Sequence, residues 1–397
     1  MLTNKTVVLG VTGSIAAYKA ADIASKLVQA GARVEVIMTK SATEFITPLT
    51  FRNLTGRPVI TDMFELSSEF SVEHVALAEA ADVVVIAPAT ANVIAKIVAG
   101  IADDMLCTTV LATEAPVIVA PAMNVNMYQN PITRENLAKL KERGFTIVGP
   151  AYGRLAEGKI GMGRLVETAE IIGIISQVLG RTGELAGRHI VVSAGGTREA
   201  IDPVRYVGNR SSGKMGYAVA EAARDRGARV TLVSSAALPD PTGIDIVHVE
   251  SAEEMKAAVV KACAKTDALI MAAAPADYQP KSAVKQKIKK EATGVSLTLE
   301  LVKTPDILAE VRGDFIKVGF KAETEKLVER AQEMLVKKHL DLVVANDVTA
   351  ADSGFGVDTN RVTLISRDGK TEELPLLTKR EVADKLLDRV VGLLGKK

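Results

Sequence analysis

Residues 6–38 read TVVLGVTGSIAAYKAADIASKLVQAGARVEVIM. TVVLGVTG is an apolar run ending in glycines, the pattern of a strand buried on both faces. AAYKAADIASKLVQAG (16–31) carries apolar residues at helical spacing and stops at Gly31. ARVEVIM (32–38) is a second strand. Strand, helix and strand in that order make a βαβ unit, which predicts a parallel sheet. DVVVIAPAT (82–90), APVIVAPAM (115–123) and FTIVGP (145–150) extend it. The pattern restarts with RHIVVSAGG (188–196), a helix over MGYAVAEAARDRG (215–227) and a strand in ARVTLVSS (228–235). ALIMAAAPADY (268–278) and LDLVVANDV (340–348) add two strand-to-loop endings. VTLISRDGKTEEL (362–374) predicts a β-hairpin, and TKREVADKLLDRVVGLLGKK (378–397) an amphipathic helix.

The 397 residues exceed one average domain. The expected fold is α/β, with two Rossmann-like three-layer domains. Their boundaries are 1–189, including the connector GRTGELAGR (180–188), and 190–397. Forty-nine basic and 48 acidic residues nearly cancel, so bulk charge favours neither nucleic acid nor an anionic membrane. VVVIAPATANVIAKIVAGIA (83–102) contains Asn92, Lys96 and a proline, and reads as strand, loop and helix instead of a membrane span. Cys107 and Cys263 stand far apart, which predicts no disulfide scaffold and fits a reducing cytoplasm. The amino-terminal stretch carries no secretory pattern.

Polar residues cluster where the strands end, which is where open α/β sheets bind ligands. Gly10, Gly13 and Ser14 lie between the first strand and helix. Their spacing differs from the dinucleotide fingerprint, leaving a mononucleotide phosphate site or a packing turn. TKSA (39–42) adds Ser41, and APATAN (87–92) adds hydroxyl and amide groups. His74 precedes a helix, either as an acid/base group or an incidental surface residue. Asp103 and Asp104 in AGIADDML read as helix caps. YGRLAEGKIGMGRLVE (152–167) has glycines at 158, 161 and 163 and reads as a mobile loop or a plain connection.

GSIAAYK, TKSA, the histidine before a helix, APATAN, GIADD and PAMNVNM together resemble the homo-oligomeric flavin-containing cysteine decarboxylases, over about residues 5–180. The resemblance implies a flavodoxin-like fold holding FMN at Gly13, Ser14, Ser41 and Thr90. It makes His74 and Asn124 catalytic, and places a substrate motif on Pro121, Met123, Asn124 and Met127. The family's usual cysteine proton donor falls at Glu157, on the segment that closes over substrate. Glu157 either donates that proton or only helps the segment close.

In the second half, SAGGTREAIDPVRYVGNRSSGKMG (193–216) sets Arg198, Arg205, Arg210 and Lys214 among glycines and hydroxyls before a helix. Such a place combines backbone donors with cations on phosphate, or is a solvated basic loop. AAAPADYQPKSAVKQKIKK (272–290), TPDI (304–307), GFKAE (319–323) and ANDV (345–348) complete the set. These motifs resemble phosphopantothenate–cysteine ligase, and the fused order resembles the bacterial bifunctional coenzyme A biosynthesis enzymes. By that resemblance Asn209 stabilises an acyl-cytidylate and Lys287 is a catalytic lysine. The same resemblance implies nucleotide binding by Ala274, Pro275, Ala276, Asp277, Lys287, Thr304, Pro305, Asp306, Ile307, Phe320 and Lys338. Met334 stands where a further lysine is expected. The implied substrates are 4′-phosphopantothenate, L-cysteine and CTP, with Mg²⁺; the implied assembly is a homododecamer of trimeric decarboxylase and dimeric ligase contacts. The alternative is an active ligase fused to a degenerate flavin-binding domain.

Overall fold

The computed structural model describes residues 2–63, 73–289, 297–323, 326–347, 354 and 356–395. The chain separates into two compact units, Met1–Leu179 and Gly180–Lys397. The connector, expected with the first domain, packs in the second. Leu185 donates its N–H to the Arg226 carbonyl at 2.9 Å, and a β-carbon on Gly180 would lie 2.3 Å from the Asp225 carbonyl oxygen. His189 already opens a strand.

In the first unit β1 (Thr6–Val11), α1 (Ala17–Gln29) and β2 (Arg33–Met38) form the expected crossover. α2 (Pro48–Thr55), β3 (Val59–Ile60), α3 (Glu73–Ala80), β4 (Val83–Ala89), α4 (Ala91–Ala99), α5 (Met105–Ala112) and β5 (Val117–Pro121) follow. Then come α6 (Val125–Gln129), α7 (Pro131–Glu142), β6 (Thr146–Ile147), the hairpin β7 (Ala151–Arg154) and β8 (Ile160–Arg164), and α8 (Thr168–Gly180). Among the described residues the parallel sheet runs β3-β2-β1-β4-β5-β6. Side chains alternate across it. Val7, Leu9, Val83 and Val85 meet Ile23 and Leu27 of α1 and Ile171 and Ile175 of α8. Val8, Val84 and Ile86 meet Ile94, Leu106 and Leu140 on the other face. Burial on both faces explains the unbroken apolar runs. Gly10 admits α5: a β-carbon there would lie 2.5 Å from Leu106 Cδ1.

The second unit repeats the plan with β9 (His189–Ala194), β10 (Arg198–Ala200), β11 (Tyr206–Gly208), α9 (Lys214–Arg224), β12 (Arg229–Ser234), β13 (Asp245–His248), α10 (Ala252–Ala262) and β14 (Ala268–Met271). β15 (Tyr278–Pro280), β16 (Leu301–Lys303), β17 (Ile316–Glu323), β18 (Leu342–Asp347), β19 (Thr359–Asn360), β20 (Val362–Ser366), β21 (Thr371–Glu373) and β22 (Leu377–Thr378) are its further strands among the described residues. The main sheet runs β13-β12-β9-β14-β17-β18-β20-β21 among the described residues, parallel through β18 and antiparallel beyond. α9 and the closing helix Lys379–Leu394 cover one face through Val219, Ala223, Val382, Leu386 and Val390. α10 and the helix Leu327–Lys337 cover the other through Met255, Val259, Ala331 and Leu335. No helix among the described residues is long and apolar enough to cross a membrane.

Candidate active sites

In the first unit the strand order reverses between β1 and β4, which opens a crevice at their carboxyl ends. Thr12 and Thr90 join the two ends. Thr12 Oγ1 donates to the Pro88 carbonyl at 2.7 Å and accepts from the Thr90 N–H at 3.0 Å. Thr90 Oγ1 in turn accepts from the Val93 N–H and caps α4. A β-carbon on Gly13 would lie 2.4 Å from Ser41 Cβ, so glycine lets the β1–α1 turn close against the turn after β2. Ser14 Oγ accepts from the Ala16 N–H, and Ser41 is exposed. Thr39 Oγ1, in the residue after β2, is buried with no hydrogen-bond partner. Hydroxyls and a helix amino terminus at one sheet edge are the donor chemistry that a phosphate-bearing flavin requires. The residues at Gly13, Ser14, Ser41 and Thr90 fit FMN on these grounds.

PAMN leaves β5 at the next strand end. Asn124 caps α6, its Oδ1 accepting from the Asn126 N–H at 2.7 Å. Its Nδ2 donates to Glu157 Oε1. The structure thus brings together two of the expected catalytic residues. The segment read as a loop is an antiparallel hairpin, β7–β8, and two of its glycines, Gly161 and Gly163, answer to sterics. Met123 donates its N–H to the Gly163 carbonyl at 2.9 Å. A β-carbon on Gly163, whose φ is +147°, would lie 2.2 Å from the Met123 carbonyl oxygen. A β-carbon on Gly161 would lie 2.8 Å from Val125 Cγ2. Close backbone approach, not looseness, explains glycine at both positions.

His74 stands half-exposed in the first turn of α3, and no hydrogen bond or ion pair joins it to Asn124 or Glu157 among the described residues. Asp104 caps α5, accepting from the Cys107 N–H at 2.8 Å. Lys96 Nζ spans Asp103 Oδ1 at 2.7 Å and Asp104 Oδ2 at 3.1 Å. The hydrogen bond it donates to Asp103 raises the Lys96 ammonium above its usual range, against partial burial. Burial pushes the thiols of Cys107 and Cys263 up to about 12, so neither is a nucleophile at neutral pH.

In the second unit the order reverses between β9 and β14. Ala274 donates its N–H to the Gly195 carbonyl at 2.8 Å, and Ala276 donates to Thr197 Oγ1 at 2.9 Å. A β-carbon on Gly196 would lie 2.6 Å from the Asn209 carbonyl oxygen, so the two loops close on each other. Beside them opens a cavity of about 590 Å³. Asn209, residues 274–277, residues 304–307, Phe320 and Lys338 all line it, as does Met334. Asn209 Nδ2 donates to the Ala274 carbonyl at 3.3 Å and the Pro275 carbonyl at 3.0 Å. Thr304 Oγ1 donates to the Ala276 carbonyl at 2.5 Å. Asp306 caps the helix Ile307–Glu310 and pairs with Lys338 Nζ at 2.9 Å.

Lys287 is exposed and is not among the cavity-lining residues. Its strap is held at the next residue by Asp202 and Arg205. Ile288 donates its N–H to Asp202 Oδ2 at 3.2 Å, and Arg205 Nη2 donates to the Ile288 carbonyl at 2.8 Å. Lys290 and Val348, the last residues of two of the motifs, lie outside the described residues. Lys321 and Asn346, from the GFKAE and ANDV motifs, also line the cavity, as do Lys303, Asn360 and Lys379, which no motif singled out. Lys379 read as part of an amphipathic helix, and a helical period alone cannot reveal what faces its first turn. Among the described residues no group of three or more His, Cys, Asp or Glu is placed to hold a metal ion.

Two family matches divide the chain in the same place. The Flavoprotein family matches residues 1–180, and the DNA/pantothenate metabolism flavoprotein C-terminal domain matches residues 185–393. The Coenzyme A biosynthesis bifunctional protein CoaBC of Bacillus subtilis (strain 168) is 46% identical over 400 residues, covering 99% of this chain and 98% of its own. Its counterpart from Escherichia coli (strain K12) is 43% identical over 397 residues, covering 98% and 97%. A crystal structure of the C-terminal domain of a protein of that name covers 54% of this chain and all of its own at 40% identity, with a TM-score of 0.47. On its family matches and its near full-length relatives, the chain belongs to the family of bifunctional coenzyme A biosynthesis proteins.

Proposed function

We propose that the second unit joins 4′-phosphopantothenate to L-cysteine using CTP, and that the first unit decarboxylates the phosphopantothenoylcysteine so formed to 4′-phosphopantetheine using FMN. The observation that carries this reading is a pair of sheet reversals in one chain, each lined by the groups its own reaction needs. A ligase with a degenerate flavin domain is not favoured, because the relatives align over both halves.

In the ligase a substrate carboxylate oxygen attacks the α-phosphorus of CTP, and pyrophosphate leaves. The cysteine amine then attacks the acyl carbon, loses a proton and expels CMP. Asp277, Thr304, Pro305, Asp306, Ile307, Phe320 and Lys338 would hold the nucleotide along the cavity wall. Asn209 Nδ2 already donates to two carbonyl oxygens, so stabilising the acyl-cytidylate through that nitrogen would exchange one of these bonds for the substrate. Lys287 would act after its strap moves toward the cavity. Mg²⁺ commonly binds one or two carboxylates together with substrate phosphates; Asp277 on the cavity wall suits that arrangement.

FMN, when bound, supplies the reversible two-electron chemistry that a plain carboxylate lacks. Gly13, Ser14, Ser41 and Thr90 would hold it. Asn124 would orient the substrate carboxylate, and Met123 and Met127 would adapt to its sulfur-bearing end. His74 is the acid/base candidate, and Glu157, bonded to Asn124, is the candidate donor of the last proton.

Large apolar side chains exposed on the first unit, including Ile15, Tyr18, Leu49 and Ile160, support self-association. Trimeric contacts there and dimeric contacts in the second unit would close a dodecamer. The two free buried cysteines support a reducing, cytoplasmic setting. Two measurements test the assignment. The purified protein should release FMN on denaturation, and should release pyrophosphate from CTP only when phosphopantothenate is present. Absence of flavin, or equal turnover without phosphopantothenate, would contradict it.

A further inference from the structure

Lys379 is buried, 6% exposed, in the first turn of the closing helix, and it lines the ligase cavity. A cation is disfavoured there, because the amino end of a helix carries positive partial charge. Burial lowers its proton affinity, Lys214 lowers it further, and Asp358 opposes both. A methionine of similar length would fill the space without that cost.

The ammonium group has three protons, and the structure places it against three acceptors. Lys379 Nζ donates to the carbonyls of Gly354 at 3.0 Å, Thr359 at 3.2 Å and Val357. An ammonium has no further donor, so none remains for a phosphate. The same segment is tied at other points. Lys379 donates its N–H to the Asp358 carbonyl at 2.9 Å, and β19 pairs with β22. Lys214, in the first turn of α9, donates to the Gly356 carbonyl at 3.2 Å and to Asp358 Oδ1 at 2.7 Å. Gly354 and Asn360, at the two ends of this segment, line the cavity together with Gly213 at the start of α9.

We infer that Lys379 is a positioning residue for the ligase: its ammonium gathers Gly354 and residues 356–360 into a wall of the nucleotide cavity. It acts through that wall and does not touch the triphosphate. This inference rests on the nucleotide assignment proposed above.

The test uses the full-length protein. Wild type is first titrated with CTP; failure to bind would overturn the nucleotide assignment and this inference with it. Lys379→Met should then weaken CTP binding and raise KM for CTP by about tenfold, while kcat and KM for phosphopantothenate change less than about threefold. Lys379→Gln, which keeps two N–H donors, should fall between Met and wild type. A folded variant that binds CTP as wild type does would overturn the inference. A loss of kcat with unchanged KM for CTP would overturn it too, since that is the signature of direct participation in the chemistry. Hydrogen exchange on wild type does not depend on a variant folding. CTP should slow exchange at Gly354 and across residues 356–360, and no change there would contradict the assignment of this wall.

Discussion

Single side chains decide whether each site can form. Gly163 is the clearest case in the first unit, because any β-carbon there would meet the Met123 carbonyl oxygen. Gly163→Ala should push the β7–β8 hairpin off the PAMN segment and lower decarboxylation at least about tenfold, with ligation unchanged. A coupled-product assay run on each reaction separately checks this. Glu157→Gln keeps a group that can accept from Asn124 and removes the acid. If Glu157 donates the last proton, carbon dioxide release persists while flavin reoxidation slows; unchanged single-turnover reoxidation would exclude that role. Asn209→Asp replaces an N–H donor by a carboxylate facing the Ala274 and Pro275 carbonyls. It should cut ligation about a hundredfold, with pyrophosphate release and amide formation followed separately. These residues were legible because each sits in a short, unusual motif. The Asn124–Glu157 contact was not, because it depends on a hairpin pairing that glycine-rich spacing disguised as a loop.

At the scale of elements, the strap carrying Lys287 depends on Asp202. Asp202 is 3% exposed. Burial favours its neutral form, but Arg205 and the N–H groups of Val204, Ile288 and Arg205 outweigh burial and hold the carboxyl well below the usual carboxylate range. A depressed folded-state value stabilises the fold above the unfolded value of about 3.9 and loses that effect as pH falls toward the folded one. Asp202→Asn should therefore lower the melting temperature of the second unit by a few degrees at pH 7. The gap from wild type should narrow below about pH 4. A gap that is flat with pH would contradict the role of the charge. The β-α-β starts and the closing helix were legible because burial on two faces and helical spacing leave strong periods. Strand order was not, since no local pattern reports which strands become neighbours. The two reversals that create the crevices therefore emerge only from the folded sheet.

At the scale of the molecule, each unit has its own sheet and its own cores. The chain from residue 180 onward should ligate without flavin, and a cut at 189/190 should be less stable, because Leu185 belongs to the second unit's core. Light scattering tests the assembly: a monomer at micromolar concentration with full decarboxylation would contradict the trimeric contact proposed for the first unit. The two chemistries were legible from motif order along the chain. Two of the cavity's further lysines were not, because residues 303 and 379 reach it only through tertiary structure. The central claim is that one chain performs both steps in sequence. The most direct measurement supplies the purified protein with phosphopantothenate, cysteine, CTP and Mg²⁺ and follows product masses over time. Phosphopantothenoylcysteine should appear as a transient that converts to 4′-phosphopantetheine with loss of carbon dioxide. Phosphopantothenoylcysteine that accumulates and never converts, in protein that holds FMN, would contradict it.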